Sequence, residues 1–282
     1  MSETVRIAVA QMNSGVTPEA NLAVIAHIAQ SAKAGGAEYV LTPEMSVFFA
    51  ENRDMLEARA EPFEDNSAVA RLSEIARENA LYLHIGSMAV ALDDGRFANR
   101  SLLFAPDGTL QTYYDKIHLF DANIPGQQAY RESATYRGGE TAVIAETSLF
   151  SLGFTICYDV RFAALYRALA QAGAQVIAVP AAFTVPTGEA HWEILLRARA
   201  IETGCFILAA AQGGAHENGR STYGHSMVVA PWGEVIAKAD GDAAGLIFAD
   251  LELDRIAAAR QRVPQLENGR DFTLGTNIKA AQ

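Results

Sequence analysis

Read for its hydrophobic and polar positions, the chain opens with a strand and a helix. Val5 to Ala10 is a short apolar run rich in branched side chains, the composition of a buried strand. Pro18 then precedes EANLAVIAHIAQSAKAG, in which Leu22, Ile25, Ile28 and Ala29 recur at the spacing of one helix face, and Gly35-Gly36 stops the helix. YVLTPE follows as a second strand, whose end delivers the carboxylate of Glu44. The same order recurs with a helix from Ser67 to Ala80, carrying Val69, Leu72, Ile75 and Ala76 on one face, and a strand LYLHIGSMAVAL. After a turn at Asp93-Asp94-Gly95, FANRSLLFAP and TLQTYYDKIHLF flank a Pro-Asp-Gly turn and read as antiparallel neighbours, with Lys116 near the end of the second.

Periodicity lapses from Gln127 to Glu140, which predicts a loop. AVIAET and SLGFTIC then read as strands leading directly into a helix, YDVRFAALYRALAQAG, so that Cys157 occupies a strand-to-helix corner. QVIAVPAAF reads as a strand, AHWEILLRARAIETG as a helix and CFILAAAQ as a strand, followed by a glycine-rich loop over 213–224. The hairpin strands SMVVAP and VIAKAD around Trp232-Gly233, the strand GLIFADL and a helix over 254–262 close the pattern. Alternating strands and helices with antiparallel pairs among them predict an α/β fold of mixed sheets covered by helices. In such a fold strand ends gather on one side, where the distant segments bearing Glu44, Lys116 and Cys157 can meet.

Composition adds limits. The 282 residues are 50% apolar, with Gly and Pro scattered and no linker-like stretch, which predicts one domain over 1–282 with its core at about 4–262 and a tail at about 263–282. A core of that size needs no disulfide, and Cys157 and Cys205 lie on separate segments, a usage that fits a reducing cytoplasm. The start, MSETVRIAVAQM, has no basic segment leading into a long apolar one, and no stretch approaches the roughly 18 apolar residues of a membrane span, so neither secretion nor membrane insertion is expected. A net charge of -11, from 22 basic and 33 acidic side chains, repels phosphate backbones and makes nucleic acid an unsuitable partner. By the same field, an anionic substrate needs local Arg or Lys in its pocket, which the sequence does not single out.

The chemical residues each admit two readings. By type, Cys157 is a small apolar residue of a core. By position it sits at a sharp corner, where the Tyr158 amide can face an oxyanion and a helix N-terminus favours a thiolate. Glu44 and Lys116 read as solvated strand-end side chains unless the fold assembles them. Cys205 begins the apolar CFILAAA and belongs to the core. His27, His84, His118, His191, His216 and His225 are scattered without metal-ligand spacing, so no metal is expected. Neither a Gly-Lys-Ser/Thr phosphate loop nor a GxGxxG after a strand is present, so no nucleotide cofactor is expected. Glu193 and Arg197, four apart, read as a pair across one helical turn.

Taken together, TPE ending at Glu44, DKIHLFD around Lys116 and GFTICYDVRF around Cys157 resemble, in the same order, the three catalytic blocks of the nitrilase superfamily of carbon-nitrogen hydrolases. The likeness extends through VRIAVAQM, PGQQAYRES with Glu132, and the run from VPAAFT through HWEILLRARAIE to YGHSMVVAPWG. It implies a four-layer αββα sandwich, pairing into a homodimer or higher homo-oligomer, and no cofactor. It further implies that Cys157 is the nucleophile and Glu44 the general base. Lys116 would be the cation that stabilises thiolate and oxyanion, the Tyr158 amide a second oxyanion donor, and Glu132 an orienting carboxylate. Such an enzyme splits amide hydrolysis into two easier steps through a thioester. AAFTVPTGEAHWEILLRARAIETGCFILAAAQ and STYGHSMVVAPWGEV are similar to amidases that hydrolyse deaminated glutathione to 2-oxoglutarate and cysteinylglycine, with Phe183, Thr184 and Thr187 in the pocket. The alternative is an ω-amidase acting on 2-oxoglutaramate or another small aliphatic amide; the ω-amidases are similar too, with Asn in place of Thr184. A catalytically idle binding or assembly module is the reading from another class, and the presence of all three blocks speaks against it. One departure is visible: the family's RFPEL is RFAAL here, Ala163 and Ala164 replacing Pro and Glu, which bears on helix-start geometry and ion pairing.

Overall fold

A computed structural model describes residues 4–123 and 129–274. Gln127 and Gln128 of the expected loop, and the last eight residues of the expected tail, lie outside the described residues. Strand β1 (Thr4–Gln11), helix α1 (Pro18–Ala34) and β2 (Tyr39–Leu41) open the chain, and a short helix α2 (Arg53–Arg59) precedes α3 (Ser67–Asn79). Strands β3 (Tyr82–Ala91), β4 (Phe97–Phe104) and β5 (Leu110–Asp115) follow, then the two-residue strands β6 (Asp121–Ala122) and β7 (Tyr130–Arg131) and a 3-10 turn at Glu132–Ala134. The second half contains β8 (Ile144–Glu146), β9 (Ser151–Phe154), a 3-10 turn at Cys157–Arg161, α4 (Ala163–Gln171), β10 (Val176–Ala178), α5 (Val185–Thr203) and β11 (Phe206–Ala209). The chain continues through the hairpin β12 (Gly213–Ala215) and β13 (Ser221–Tyr223), β14 (Met227–Val229), β15 (Val235–Lys238), β16 (Gly245–Glu252) and α6 (Asp254–Arg262).

Two six-stranded mixed sheets result, ordered β16-β1-β2-β3-β4-β5 and β15-β14-β11-β10-β9-β8. β16 crosses back to edge the first sheet, antiparallel to β1 from Thr4 opposite Glu252 to Gln11 opposite Gly245. Side-chain alternation decides what each face meets. Val5, Ile7 and Val9 of β1 join Leu152, Phe154 and Val176 of the second sheet in one core. Ala8 and Ala10, pointing the other way, pack with Ile25 and Ala29 of α1 and Leu72, Ile75 and Ala76 of α3. Leu165 and Leu169 of α4 and Trp192, Leu196 and Ala200 of α5 cover the second sheet. Each such buried side chain contributes about 1.5–3 kcal/mol relative to exposure, so these alternations bind the helices and sheets as an αββα sandwich. No helix among the described residues is long and apolar enough to cross a membrane.

Several expectations need correction. SLGFTIC does not run into an α-helix: β9 stops at Phe154, Cys157 starts a 3-10 turn, and the α-helix begins only at Ala163. The cause is polar. Thr155 Oγ1 donates to Ala178 O at 2.7 Å, and the Asp159 carboxylate accepts from the Ile156 amide at 2.8 Å, fixing a tight turn between them. Helix α5 starts earlier than its apolar face indicates, because Pro186 suits a first turn. The glycine-rich segment 213–224 pairs as a hairpin instead of a loop. Helix α2 went unpredicted because its seven residues bury only Leu56; Asn52 caps it, accepting from the Met55 amide. The expected Glu193–Arg197 pair does form, at 3.9 Å, while Glu193 meets Lys238 more closely, at 2.7 Å, and Arg197 Nε donates to Gly233 O.

Candidate active site

Glu44, Lys116 and Cys157 meet where three strand ends converge. Past β2, the Thr42 amide donates to His84 O, and Thr42 Oγ1 accepts from the Gly86 amide at 3.1 Å. That approach is why position 86 is glycine: a Cβ there would collide with Thr42 O, Pro43 O and Pro180 Cβ. Met45 then adopts a left-handed φ of 55°, its amide held by Ser87 Oγ, while Gln212 Nε2 donates to Glu44 O at 3.0 Å. Lys116 follows β5 directly, its amide on Asn99 O at 2.9 Å. Cys157 has a left-handed φ of 49°, and its amide donates to Pro180 O at 2.8 Å. Two non-glycine residues in this region flank the site, a local cost that the surrounding hydrogen bonds sustain.

The side chains form a buried ion cluster. Lys116 Nζ is 2.9 Å from Glu44 Oε1 and 2.9 Å from Glu132 Oε2. Asn99 Nδ2 donates to Glu44 Oε1 at 2.9 Å and to Glu132 Oε1 at 3.2 Å, so one amide group ties both carboxylates. The Ala182 amide donates to Glu44 Oε2 at 2.9 Å, and the Phe120 amide to Glu132 Oε2 at 2.6 Å. The Cys157 thiol interacts with the Glu44 carboxylate.

Protonation follows from these contacts. Burial alone would raise Glu44, but the Lys116 charge and the hydrogen bonds from Lys116, Cys157 and Asn99 outweigh it and hold the carboxyl below its ordinary value. Burial would strip the proton from Lys116, yet Glu132 and Glu44 hold the ammonium well above its own. Burial and then the Glu44 charge push the Cys157 thiol up, against the weaker opposing pull of Lys116. The resting site is therefore carboxylate, ammonium and thiol. This corrects the expectation of a thiolate favoured by a helix N-terminus and by Lys116: the turn at Cys157 is a single 3-10 turn, and the burial that assembles the cluster suppresses the charge on sulfur.

Cys157 sits at the junction of two spaces. One is a cavity of about 610 Å³ lined by Glu44, Lys116, Glu132 and Cys157 together with Phe49, Tyr130 and three arginines, Arg53, Arg131 and Arg220. The other is a cleft of about 20 Å³ lined by Cys157, Tyr158, Arg161, Phe183, Thr184 and Thr187. The sequence-predicted pocket residues thus face the cleft and not the larger cavity, and the Thr184 and Thr187 hydroxyls bond each other at 2.8 Å. Tyr158 directly follows Cys157 in the turn, its ring packed on Phe120 and Phe162. Cys205 is buried in the core as expected, against Ala174 O and Arg260. Among the described residues no group of three His, Cys, Asp or Glu side chains is placed to hold a metal ion.

Sequence reasoning missed Asn99, Asp159, Gln212 and the pocket arginines. Asn99 is one of three consecutive polar residues, Asn99-Arg100-Ser101, in FANRSLLF, and nothing in the sequence sets it apart from the other two. Asp159 had no signal within its own segment. Its carboxylate accepts from Tyr114 Oη at 2.7 Å, the His118 amide at 3.0 Å and the Ile156 amide, locking the Lys116 strand end to the Cys157 turn.

With this geometry described, comparison with known proteins is informative. Residues 6–261 match the family model described as carbon-nitrogen hydrolase. The deaminated glutathione amidase of Yersinia enterocolitica is 41% identical over 94% of this chain and 92% of its own length. The omega-amidase of Homo sapiens is 39% identical over 74% of this chain and 75% of its own. The C. elegans NitFhit protein superposes with a TM-score of 0.87 at 36% identity, covering 95% of this chain, which spans 66% of that longer one. The amidase from Nesterenkonia sp. AN1 superposes with a TM-score of 0.78 at 28% identity, over 93% of this chain and 98% of its own; there acrylamide has added to the active site cysteine.

Proposed function

The chain belongs to the carbon-nitrogen hydrolase family, and from that premise we propose that it hydrolyses deaminated glutathione to 2-oxoglutarate and cysteinylglycine through a thioester on Cys157. The observation that carries the chemistry is the Cys157 thiol beside the Glu44 carboxylate, in the lining of a cavity and next to a buried ammonium. An amide carbonyl is a poor electrophile, and a neutral thiol is a poor nucleophile. Glu44 removes the thiol proton as the sulfur-carbon bond forms, so a free thiolate never has to be stored in the buried site. The oxyanion is received by Lys116 Nζ and the Tyr158 amide, each worth about 3 kcal/mol of barrier if they act as other oxyanion donors do. Glu44 then passes its proton to the departing nitrogen as the carbon-nitrogen bond breaks. A water, deprotonated by Glu44, attacks the thioester; the acid leaves and sulfur recovers its proton. Glu132 and Asn99 hold Lys116 and Glu44 in register throughout.

The substrate assignment is supported by the 41% identity to an enzyme named for that compound and by a cavity spacious enough for a dipeptide leaving group. The second reading, hydrolysis of 2-oxoglutaramate, is favoured by the 39% identity to an omega-amidase. Release of 2-oxoglutarate from the two compounds, measured side by side for the native protein and Cys157→Ala, separates them. Preference for deaminated glutathione, abolished in the variant, is expected; preference for 2-oxoglutaramate transfers the assignment, and turnover unaffected by the substitution removes Cys157 from the mechanism. We also place the enzyme in the reducing cytoplasm, in keeping with its two unbridged cysteines, and as a homodimer.

A further inference from the structure

Three arginines line the cavity, and they differ in what holds them. Arg53 donates to the Glu57 carboxylate at 2.7 Å and to Gly95 O at 2.9 Å. Arg131 donates to Tyr130 O at 2.6 Å and to Asn123 Oδ1 at 2.8 Å. The Arg220 guanidinium makes no hydrogen bond or ion pair among the described residues. Its contacts are with ring faces: Cζ stands 4.7 Å from the Phe49 centroid and 5.7 Å from that of Tyr130. With ring contacts and no polar partner among the described residues, its N–H donors form the fork that matches a carboxylate.

The backbone that carries Arg220 is fixed. The hairpin tip closes with the His216 amide on Arg220 O at 2.8 Å and the Arg220 amide on Asn218 Oδ1 at 3.0 Å. Asn218 Nδ2 donates to Phe49 O at 3.0 Å, and the His216 ring bridges Ser14 O and Thr222 Oγ1. The ring that covers the guanidinium and the loop that presents it are thus bolted to one another. The Arg220 charge also acts on Tyr136, which feels Glu132, Glu44 and Lys116 as well, so it belongs to the same wall as the ion cluster. In a chain with 33 acidic and 22 basic side chains, an arginine with no acidic partner among the described residues, in the lining of the cavity that also holds Cys157, needs a reason.

Resting on the substrate reading above, we propose that Arg220 is a specificity-determining residue that pairs with the terminal carboxylate of the departing amine half, selecting N-acyl dipeptides with a free C-terminus. A linear substrate with a carboxylate at each end and the scissile bond between them would straddle Cys157. The dipeptide end would then extend into the cavity that Arg220 and Cys157 both line. 2-Oxoglutaramate has no second carboxylate to offer.

The test compares deaminated glutathione with its C-terminal carboxamide, following 2-oxoglutarate release, in the native enzyme, Arg220→Gln and Arg220→Lys. The native enzyme is expected to favour the acid by about ten- to a hundredfold in kcat/KM, mainly through KM. Arg220→Gln should bring that ratio close to one, and Arg220→Lys should keep part of it. The ratio is internal to each protein, and the native measurement needs no variant to fold. Equal use of both compounds by the native enzyme, or an Arg220→Gln variant that loses both in proportion, overturns the role of Arg220 alone. A native enzyme that cleaves neither compound removes the substrate reading and this proposal with it.

Discussion

Burial and the Glu44 charge hold the Cys157 thiol above its ordinary value of 9.0, while Lys116 and its companions hold Glu44 below 4.5. The signs of these shifts predict the pH response. Glu44, depressed in the fold, contributes stability that is complete above about pH 4.5 and is lost as pH falls through its lower folded value. Lys116, raised in the fold, contributes stability that is complete below its unfolded value of 10.5 and is lost as pH rises through its higher folded one. Cys157 works against the fold from about pH 9.0 upward, where an unfolded thiol ionises and the buried one does not. Between those limits the catalytic protonation pattern does not change. A profile of kcat/KM should accordingly be level from about pH 5 to 9, without the rise that follows ionisation of an ordinary thiol. A rate that climbs tenfold per unit towards pH 9 would mean that a free thiolate attacks and that Glu44 is not the base.

At the level of elements, the turn from Cys157 to the start of α4 joins the site to the helix layer, and here RFAAL stands where the family resemblance leads one to expect RFPEL. Ala163 and Ala164 are the first two residues of α4, both exposed, and Phe162 before them offers no side-chain cap. The first position of a helix suits proline, which has no amide to leave unpaired there, and the second suits a carboxylate facing the helix dipole. Installing both, as Ala163→Pro with Ala164→Glu, is expected to stabilise the protein by about 0.5–1.5 kcal/mol and to raise Tm by a few degrees, with kcat unchanged. A lower Tm in a thermal melt would show that the Phe162 backbone cannot accept a following proline. The same region marks the limit of what the sequence conveys. Long elements such as α1, α3 and β3 were legible, the helices because buried positions recur along one face and β3 because its run is long and mostly apolar. The blocks at Glu44, Lys116 and Cys157 were legible because their residues and their order resemble the catalytic blocks of the family to which the chain belongs. The 3-10 turn at Cys157 was not, since it is made by Asp159 reaching Tyr114 and His118, about forty residues away, and side-chain periodicity carries no trace of such a bond. For the same reason Asn99 reads only as one of three consecutive polar residues of β4, and its role in tying two carboxylates appears only after β4 is set beside the ends of β2 and β5.

For the whole molecule, what needs covering is an apolar face on the side of α5 that turns away from the sheet. Trp192, Leu196 and Ala200 point into the core, whereas Ile194 is 69% and Ile201 51% exposed. Trp232, 48% exposed, lies one residue from Gly233, against which Ile201 packs; Arg262 stacks on Trp232, and Gln265 Nε2 donates to Ile201 O at 2.8 Å. Ile201, the Trp232 turn and the end of α6 thus adjoin one another, with Ile194 two turns back along α5. A strongly acidic monomer has enough charge to stay dissolved, so its exposed isoleucines and tryptophan are better accounted for by a second copy seated on the same face. A twofold interface sets each residue near its own copy, which makes Ile201→Glu a severe test because two carboxylates would be forced together. Light scattering should give the native protein about twice the 30.2 kDa chain mass and the variant one chain mass. Since Glu44, Asn99, Lys116, Glu132 and Cys157 all come from one chain, kcat in the variant should stay within about threefold of native. A native protein of one chain mass at micromolar concentration would dismiss the dimer, and an Ile201→Glu protein that still pairs would move the interface elsewhere.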